Sequence, residues 1–232
     1  MFPEVTADLA EAVRSASLCV LCTPIGSMPE LAERMAPHLS ADVVVTDAGS
    51  AKGTVVRQLE AILGDRFIGS HPMAGSEKSG LDAARADLFQ DAVCILTPTH
   101  TTAPDTLRQA RELWSAVGCR TVEMSPQAHD DAIARVSHLP HAVAAALVNA
   151  VSQSHPGAEA LAGGGYRDTT RIAAGSPALW KEIFLENKES LLAGLDDFTA
   201  TLADFKRMIL AHDAPALEDF LTRAQDARTR LP

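Results

Sequence analysis

Short runs of uninterrupted apolar residues, separated by amphipathic stretches, occupy the first half of the chain: Leu18-Cys19-Val20-Leu21-Cys22, Val43-Val44-Val45, Arg66-Phe67-Ile68-Gly69 and Val93-Cys94-Ile95-Leu96. Runs this short, apolar on successive residues, suit strands covered on both faces. Between them, Pro29 to Leu39 and Gly53 to Leu63 carry apolar residues at helical spacing. Strand alternating with helix predicts an α/β, doubly wound parallel sheet. The pattern changes at Ser125-Pro126, a helix N-cap followed by proline in the first turn. Beyond it, Ala128, Ala132, Ile133, Val136, Leu139, Val143, Leu147 and Val151 make one apolar helix face, which Pro140 should kink. Ser176-Pro177 opens a second helix, with Leu179, Ile183, Phe184, Leu191, Leu195, Phe198, Leu202, Phe205 and Ile209 along one stripe. That helix is longer than the core of a small domain can cover, so part of its stripe reads as a subunit interface, with full burial inside one chain as the alternative. A last helix is expected from Pro215 to Leu231. The chain therefore divides into an α/β domain over 1–124 and an all-α domain over 125–232.

With 232 residues, 47% of them hydrophobic, there is enough apolar material for a folded core. A net charge of −10 argues against nucleic acid or an anionic membrane as bulk partners, but leaves room for a local cationic pocket that takes an acidic metabolite. Cys19, Cys22, Cys94 and Cys119 fall mostly in the strand-like runs and read as reduced core thiols of a cytoplasmic protein. Cys19 and Cys22 form a C-x-x-C, yet no second pair completes a zinc site, so no metal is expected. No apolar run approaches the length of a membrane span, and the amino terminus lacks a basic-then-apolar secretion signal.

Several segments carry side chains suited to chemistry. His71-Pro72-Met73-Ala74-Gly75 places an imidazole at the end of an apolar run, where a rigid proline and small residues let a ligand come close. Histidine trades protons near neutral pH, and Glu77 is placed to bias its charge if the loop folds back; a structural His-Pro pair is the competing reading. Asp47-Ala48-Gly49-Ser50-Ala51-Lys52-Gly53 follows the second run and precedes a helix. Such a strand-to-helix turn leaves N–H groups for a nucleotide or anion, unless it is an ordinary tight turn capped by Ser50. Thr23-Pro24 ends the first run at the equivalent place and would line the same crevice. In the helical half, Ser137-His138-Leu139-Pro140-His141 sets two histidines about one turn apart, for substrate contact or, as the competing reading, a metal pair. Gly163-Gly164-Gly165-Tyr166-Arg167-Asp168-Thr169-Thr170-Arg171 delivers two guanidinium groups, which hold carboxylates in bidentate fashion, whether of a ligand or of the protein itself.

Taken in order, Asp47-x-Gly49-Ser50-x-Lys52, Gly69-x-His71-Pro72-Met73-Ala74-Gly75-Ser76-Glu77, Ser137-His138-Leu139-Pro140-His141 and Arg167-Asp168-Thr169-Thr170-Arg171-Ile172-Ala173 resemble the prephenate and arogenate dehydrogenases of tyrosine biosynthesis. The resemblance covers nearly the whole chain. It implies a partial dinucleotide-binding, Rossmann-like domain followed by a helical substrate and dimerisation domain, working as a homodimer with NAD or NADP. It further implies that His71 accepts a hydrogen bond from the substrate's ring hydroxyl, and that Ser50 lies between that hydroxyl and the nicotinamide. His138 would contact substrate and Arg171 would bind a substrate carboxylate. Glu77, Asp168 and Trp180 would line the entrance, and Thr23, Pro24, Gly49 and Ser50 the cofactor crevice. The implied reaction is the oxidative decarboxylation of prephenate to 4-hydroxyphenylpyruvate, or the corresponding reaction of arogenate.

One departure from the family pattern stands out. Members begin with a strand, a G-x-G-x-x-G turn and a helix that hold the cofactor pyrophosphate. Here the first glycine is Gly26, and the strand at Leu18 comes almost at once. A shortened sheet is expected, and a reading from a different class opens: a non-catalytic protein that binds substrate or tyrosine, or pairs with a full-length subunit through its helices.

Overall fold

A computed structural model describes residues 4–75, 80, 82 and 84–231. Strands β1 (Leu18–Leu21), β2 (Val44–Asp47), β3 (Phe67–Pro72), β4 (Val93–Thr97) and β5 (Arg120–Glu123) form one sheet in that order. A short helix α1 (Leu9–Val13), capped by the Asp8 carboxylate, precedes β1. Helices α2 (Met28–Met35) and α3 (Gly53–Leu63) supply the crossovers that make β1, β2 and β3 parallel, and α4 (Pro104–Ala116) does the same between β4 and β5. The sheet is thus dominated by parallel pairs, as the alternation predicts.

One step runs the other way. β3 and β4 pair antiparallel, His71 opposite Ile95, and no α-helix lies among the described residues between Pro72 and Val93. β5 has no counterpart among the apolar runs of the sequence. It is an edge strand whose end residues Arg120 and Glu123 are exposed, so it carries no continuous apolar signature.

The alternation along each strand sorts the core into two layers. Val45 and Phe67 point into a cluster with Met28, Met35, Leu59 and Leu63 from α2 and α3. Ile68 and Leu96 point to the other side, against Ala110 and Trp114 of α4. Central strand β3 is buried along its whole length. A Cβ at Gly69 would lie 2.6 Å from Val56 Cγ2 and 3.2 Å from the Lys52 stem, so only glycine lets α3 approach the strand so closely.

The helical half comprises α5 (Pro126–Ile133), α6 (Leu139–Ser154), α7 (Gly164–Thr170), α8 (Pro177–Glu186), α9 (Lys188–Leu210) and α10 (Ala214–Thr229). Ser125 and Ser176 cap α5 and α8, each hydroxyl accepting from a backbone N–H in the first turn. Just ahead of Pro140 the chain from Ala134 to His138 widens into a π turn, and Pro140 lies in the first turn of α6. The single long helix expected after Ser176 is instead two. It breaks at Asn187, whose buried side chain donates 2.8 Å to the Asp130 carbonyl, so a tertiary bond outweighs helical continuity. On α9 and α10, Phe198, Leu202, Ile209, Leu210 and Leu221 remain exposed.

Candidate active site

The carboxyl ends of β1, β2 and β3 meet α5, the π turn and α8. Asp47, the last residue of β2, accepts from Ser70 N at 3.0 Å and from Gly49 N at 2.8 Å, and its carboxylate pairs with the Lys52 ammonium. Both charged side chains are fully buried. On the far side of the sheet Ser70 Oγ accepts from Trp114 Nε1 at 3.0 Å and lies 2.8 Å from Thr46 Oγ1. The stretch of β3 that presents His71 is therefore fixed from both faces.

His71 is buried, with Nδ1 2.8 Å from Nε2 of His129. His129 Nδ1 lies 2.8 Å from Asp130 Oδ1. That carboxylate accepts two backbone N–H groups at the start of α3, from Lys52 at 2.8 Å and Gly53 at 2.7 Å. Two of the N–H groups at this helix start are therefore taken from within the chain by Asp130. Burial pushes His71 well below the ordinary imidazole range, and the nearby His129, Lys52 and His138 push it the same way. His129 is lowered too, chiefly by burial, with Asp130 partly opposing. Burial alone would raise the Asp130 carboxyl, but the His129 hydrogen bond and the two amides outweigh it and hold it below its usual value.

His138, at the end of the π turn, is buried beside this group. Its Nδ1 lies 3.2 Å from Asn187 Nδ2, while its Nε2 is buried without an ordinary hydrogen bond among the described residues. Burial lowers it from 6.5 to about 4, although Asp130 and the Ser50 backbone favour the charged form. Because the folded chain disfavours that proton, stability is full above about 6.5 and declines as pH falls toward 4, by about 3 kcal/mol from this group. Urea unfolding at pH 7 and pH 4 checks the sign, and His138→Gln should lose less on acidification than the parent. Equal losses would remove His138 as the source.

Trp180 on α8 completes the wall. Its ring stacks on His141 at 3.5 Å and meets His138 edge-on at 6.2 Å. A Cβ at Gly175 would lie 2.7 Å from Trp180 Nε1 and 3.1 Å from His141 Cε1, so the turn Arg171–Ala174 ends directly against this stack. Arg171 itself is exposed in that turn, and Asp168 is exposed on α7 one turn earlier. Thr23 and Pro24 are exposed just past β1, and Gly49 packs against Ile25 of the same turn, which brings the two strand ends together. Ser50 is partly buried between them and His138. The Glu182 carboxylate of α8 accepts from Gly26 N at the same edge. Cys22, expected among core thiols, is exposed just past β1. Glu77 lies outside the described residues.

His71, Ser50, His138 and Trp180 are thus brought to one place, with Thr23, Pro24 and Gly49 at its rim and Arg171 in a turn that leads into it. Sequence reasoning missed His129, Asp130 and Asn187, and used Lys52 only as a motif letter. The signal available was His129-Asp130 in the first turns of the helix capped by Ser125. Among the described residues no group of three or more His, Cys, Asp or Glu is arranged to hold a metal ion, and no helix is long and apolar enough to cross a membrane.

Residues 3–123 match the family described as prephenate dehydrogenase, nucleotide-binding domain, and residues 125–223 the prephenate dehydrogenase, dimerization domain. The cyclohexadienyl dehydrogenase of Zymomonas mobilis is 40% identical over 98% of this chain, which spans 79% of that protein. The prephenate dehydrogenase of Bacillus subtilis is 37% identical over 95% of this chain, which spans 61% of its length. The crystal structure of Aquifex aeolicus prephenate dehydrogenase in complex with hydroxyphenyl propionate and NAD+ superposes with a TM-score of 0.93 at 37% identity, covering 98% of this chain and 81% of that one. With both halves matched and the likeness running almost end to end, the chain belongs to the prephenate dehydrogenase family.

Proposed function

We propose that this chain catalyses the NAD(P)-dependent oxidative decarboxylation of prephenate to 4-hydroxyphenylpyruvate, a step of tyrosine biosynthesis, as a cytoplasmic homodimer. The observation that carries this reading is His71: a buried imidazole, uncharged at neutral pH, presented at the carboxyl end of the central strand beside Ser50 and His138. The cofactor crevice is supported by Thr23 and Ser50, neutral hydroxyls at the ends of two adjacent parallel strands, where open α/β sheets take nucleotides. When bound, the nicotinamide supplies the hydride acceptor. The chain's own residues do the rest.

His71 accepts a hydrogen bond from the ring hydroxyl of the substrate and draws its proton as the C4–H bond is lost. The carbonyl that forms is conjugated through the ring and receives the electron pair released when the ring carboxylate leaves as CO₂. His71 then returns the proton to the phenolate, and aromatisation makes the sequence irreversible. The buried Nε2 of His138, left without an ordinary hydrogen bond, fits a polar group of the substrate. Arg171 is assigned to a substrate carboxylate, and Asp168, Glu77 and Trp180 to the entrance. We place the domain division at 124/125 and the dimer contact on the helical part, where exposed Phe198, Leu202 and Leu221 of α9 and α10 offer apolar surface.

Titration with NAD and NADP, followed by turnover of prephenate and of arogenate, tests the proposal. Cofactor-dependent release of 4-hydroxyphenylpyruvate is expected; binding of substrate or tyrosine without turnover would favour the non-catalytic reading. Arg171→Ala should raise KM by roughly tenfold or more with little change in kcat, since a charge-assisted contact is lost from ground state and transition state alike. An unchanged KM would sink that assignment.

A further inference from the structure

We infer that Asp130 and His129 act as positioning residues that lock His71 in the tautomer with its proton on Nδ1, leaving the Nε2 lone pair for the substrate hydroxyl. The inference deepens the proposed function, and rests on it only for the identity of the group that His71 faces.

An ionised carboxylate only accepts, so in the 2.8 Å contact between Asp130 Oδ1 and His129 Nδ1 the proton sits on the histidine. A neutral His129 then has a bare Nε2. The 2.8 Å contact between that nitrogen and His71 Nδ1 requires a proton from His71, whose own Nε2 is left bare. The opposite arrangement needs either a protonated carboxyl at Asp130 or a charged His129. The first is opposed by the Lys52 and Gly53 amides, which donate to both oxygens of Asp130. The second is opposed by full burial of His129 and by the Lys52 ammonium. The other charged or titratable groups that face His71 are Lys52, just ahead of α3, and His138 on the π turn, and both disfavour a proton on it.

The chain of bonds therefore runs from the amides that open α3, through Asp130 and His129, to the atom that receives the substrate proton. Those amides follow Ser50 by two and three residues, so the turn at the cofactor side and the tautomer of the base are set by one carboxylate. The logic parallels the buried aspartate that orients the histidine of a serine protease, with a second imidazole inserted between them.

The test reads the ring nitrogens of His71 by ¹⁵N–¹H correlation NMR in the folded protein without substrate, with kcat and KM measured separately. In the parent, Nδ1 should carry the proton and Nε2 should resonate as a lone-pair nitrogen. In Asp130→Ala the acceptor that holds the proton on His129 Nδ1 is gone, so both tautomers of the His129–His71 pair become populated; kcat should fall on the order of 10²–10⁴-fold with KM nearly unchanged. If that variant fails to fold, His129→Phe replaces it: it keeps the Asp130 cap on α3, and is expected to give a mixture of His71 tautomers and a comparable loss of kcat. A proton on Nε2 in the parent overturns the inference, as does a folded Asp130→Ala protein with unaltered tautomer and rate. Correct tautomers in a chain that turns over neither prephenate nor arogenate would count against the proposed function alone.

Discussion

His71→Asn is expected to fold normally and to lose on the order of 10²–10⁴-fold in kcat at saturating cofactor and substrate. The expectation rests on what the replacement keeps. An asparagine amide at the end of β3 still donates to His129 Nε2, so the hydrogen bond that the His71 ring makes there has a substitute, and the buried strand loses little volume. The lost property is proton affinity. An amide does not take the hydroxyl proton as the C4–H bond breaks, so the defect falls on the chemical step rather than on binding. Steady-state kinetics beside a thermal melt decide it: an unchanged melting temperature with collapsed kcat supports the base role, and a near-normal rate removes His71 from it.

Lys52→Met should destabilise the fold by about 3–5 kcal/mol, because it leaves the Asp47 carboxylate buried without its counter-charge. Two backbone amides, Ser70 and Gly49, would still donate to that carboxylate, which sets a ceiling on the loss. The double variant Asp47→Asn/Lys52→Met should recover much of it, since no naked charge remains, and the coupling energy from the full cycle isolates the pair. Urea unfolding supplies the numbers; a loss below about 1 kcal/mol for Lys52→Met would mean that water or rearrangement relieves the charge. The same variant removes one of the charges that keep a proton off His71, so the acid limb of kcat/KM should move to higher pH.

Much of this was legible in the sequence because it depends on local pattern. Continuous apolar runs marked four of the five strands, and Ser125 and Ser176 marked helix starts that the structure caps as expected. What escaped depends on contacts distant along the chain. The antiparallel step between β3 and β4 is a pairing choice that periodicity does not encode, and β5 is too polar at its ends to be noticed. The break at Asn187 is invisible because the stripe of apolar residues continues across it. The bond that enforces it reaches back to Asp130, 57 positions earlier. Asp130 is one of 30 acidic residues in the chain, and only its pairing with amides 77 and 78 positions away sets it apart.

The interruption between α8 and α9 also fixes a phase. Trp180 in α8 and Asn187, the residue that ends it, are seven positions apart, close to two helical turns, and both side chains reach the same neighbour. That neighbour is His138, which meets the indole at 6.2 Å and the carboxamide at 3.2 Å. Adding or removing one residue between them would swing the indole about a quarter turn away while the carboxamide stayed anchored. The stretch from 181 to 186 thus acts as a spacer whose length, more than its composition, keeps the aromatic wall in register with the imidazole.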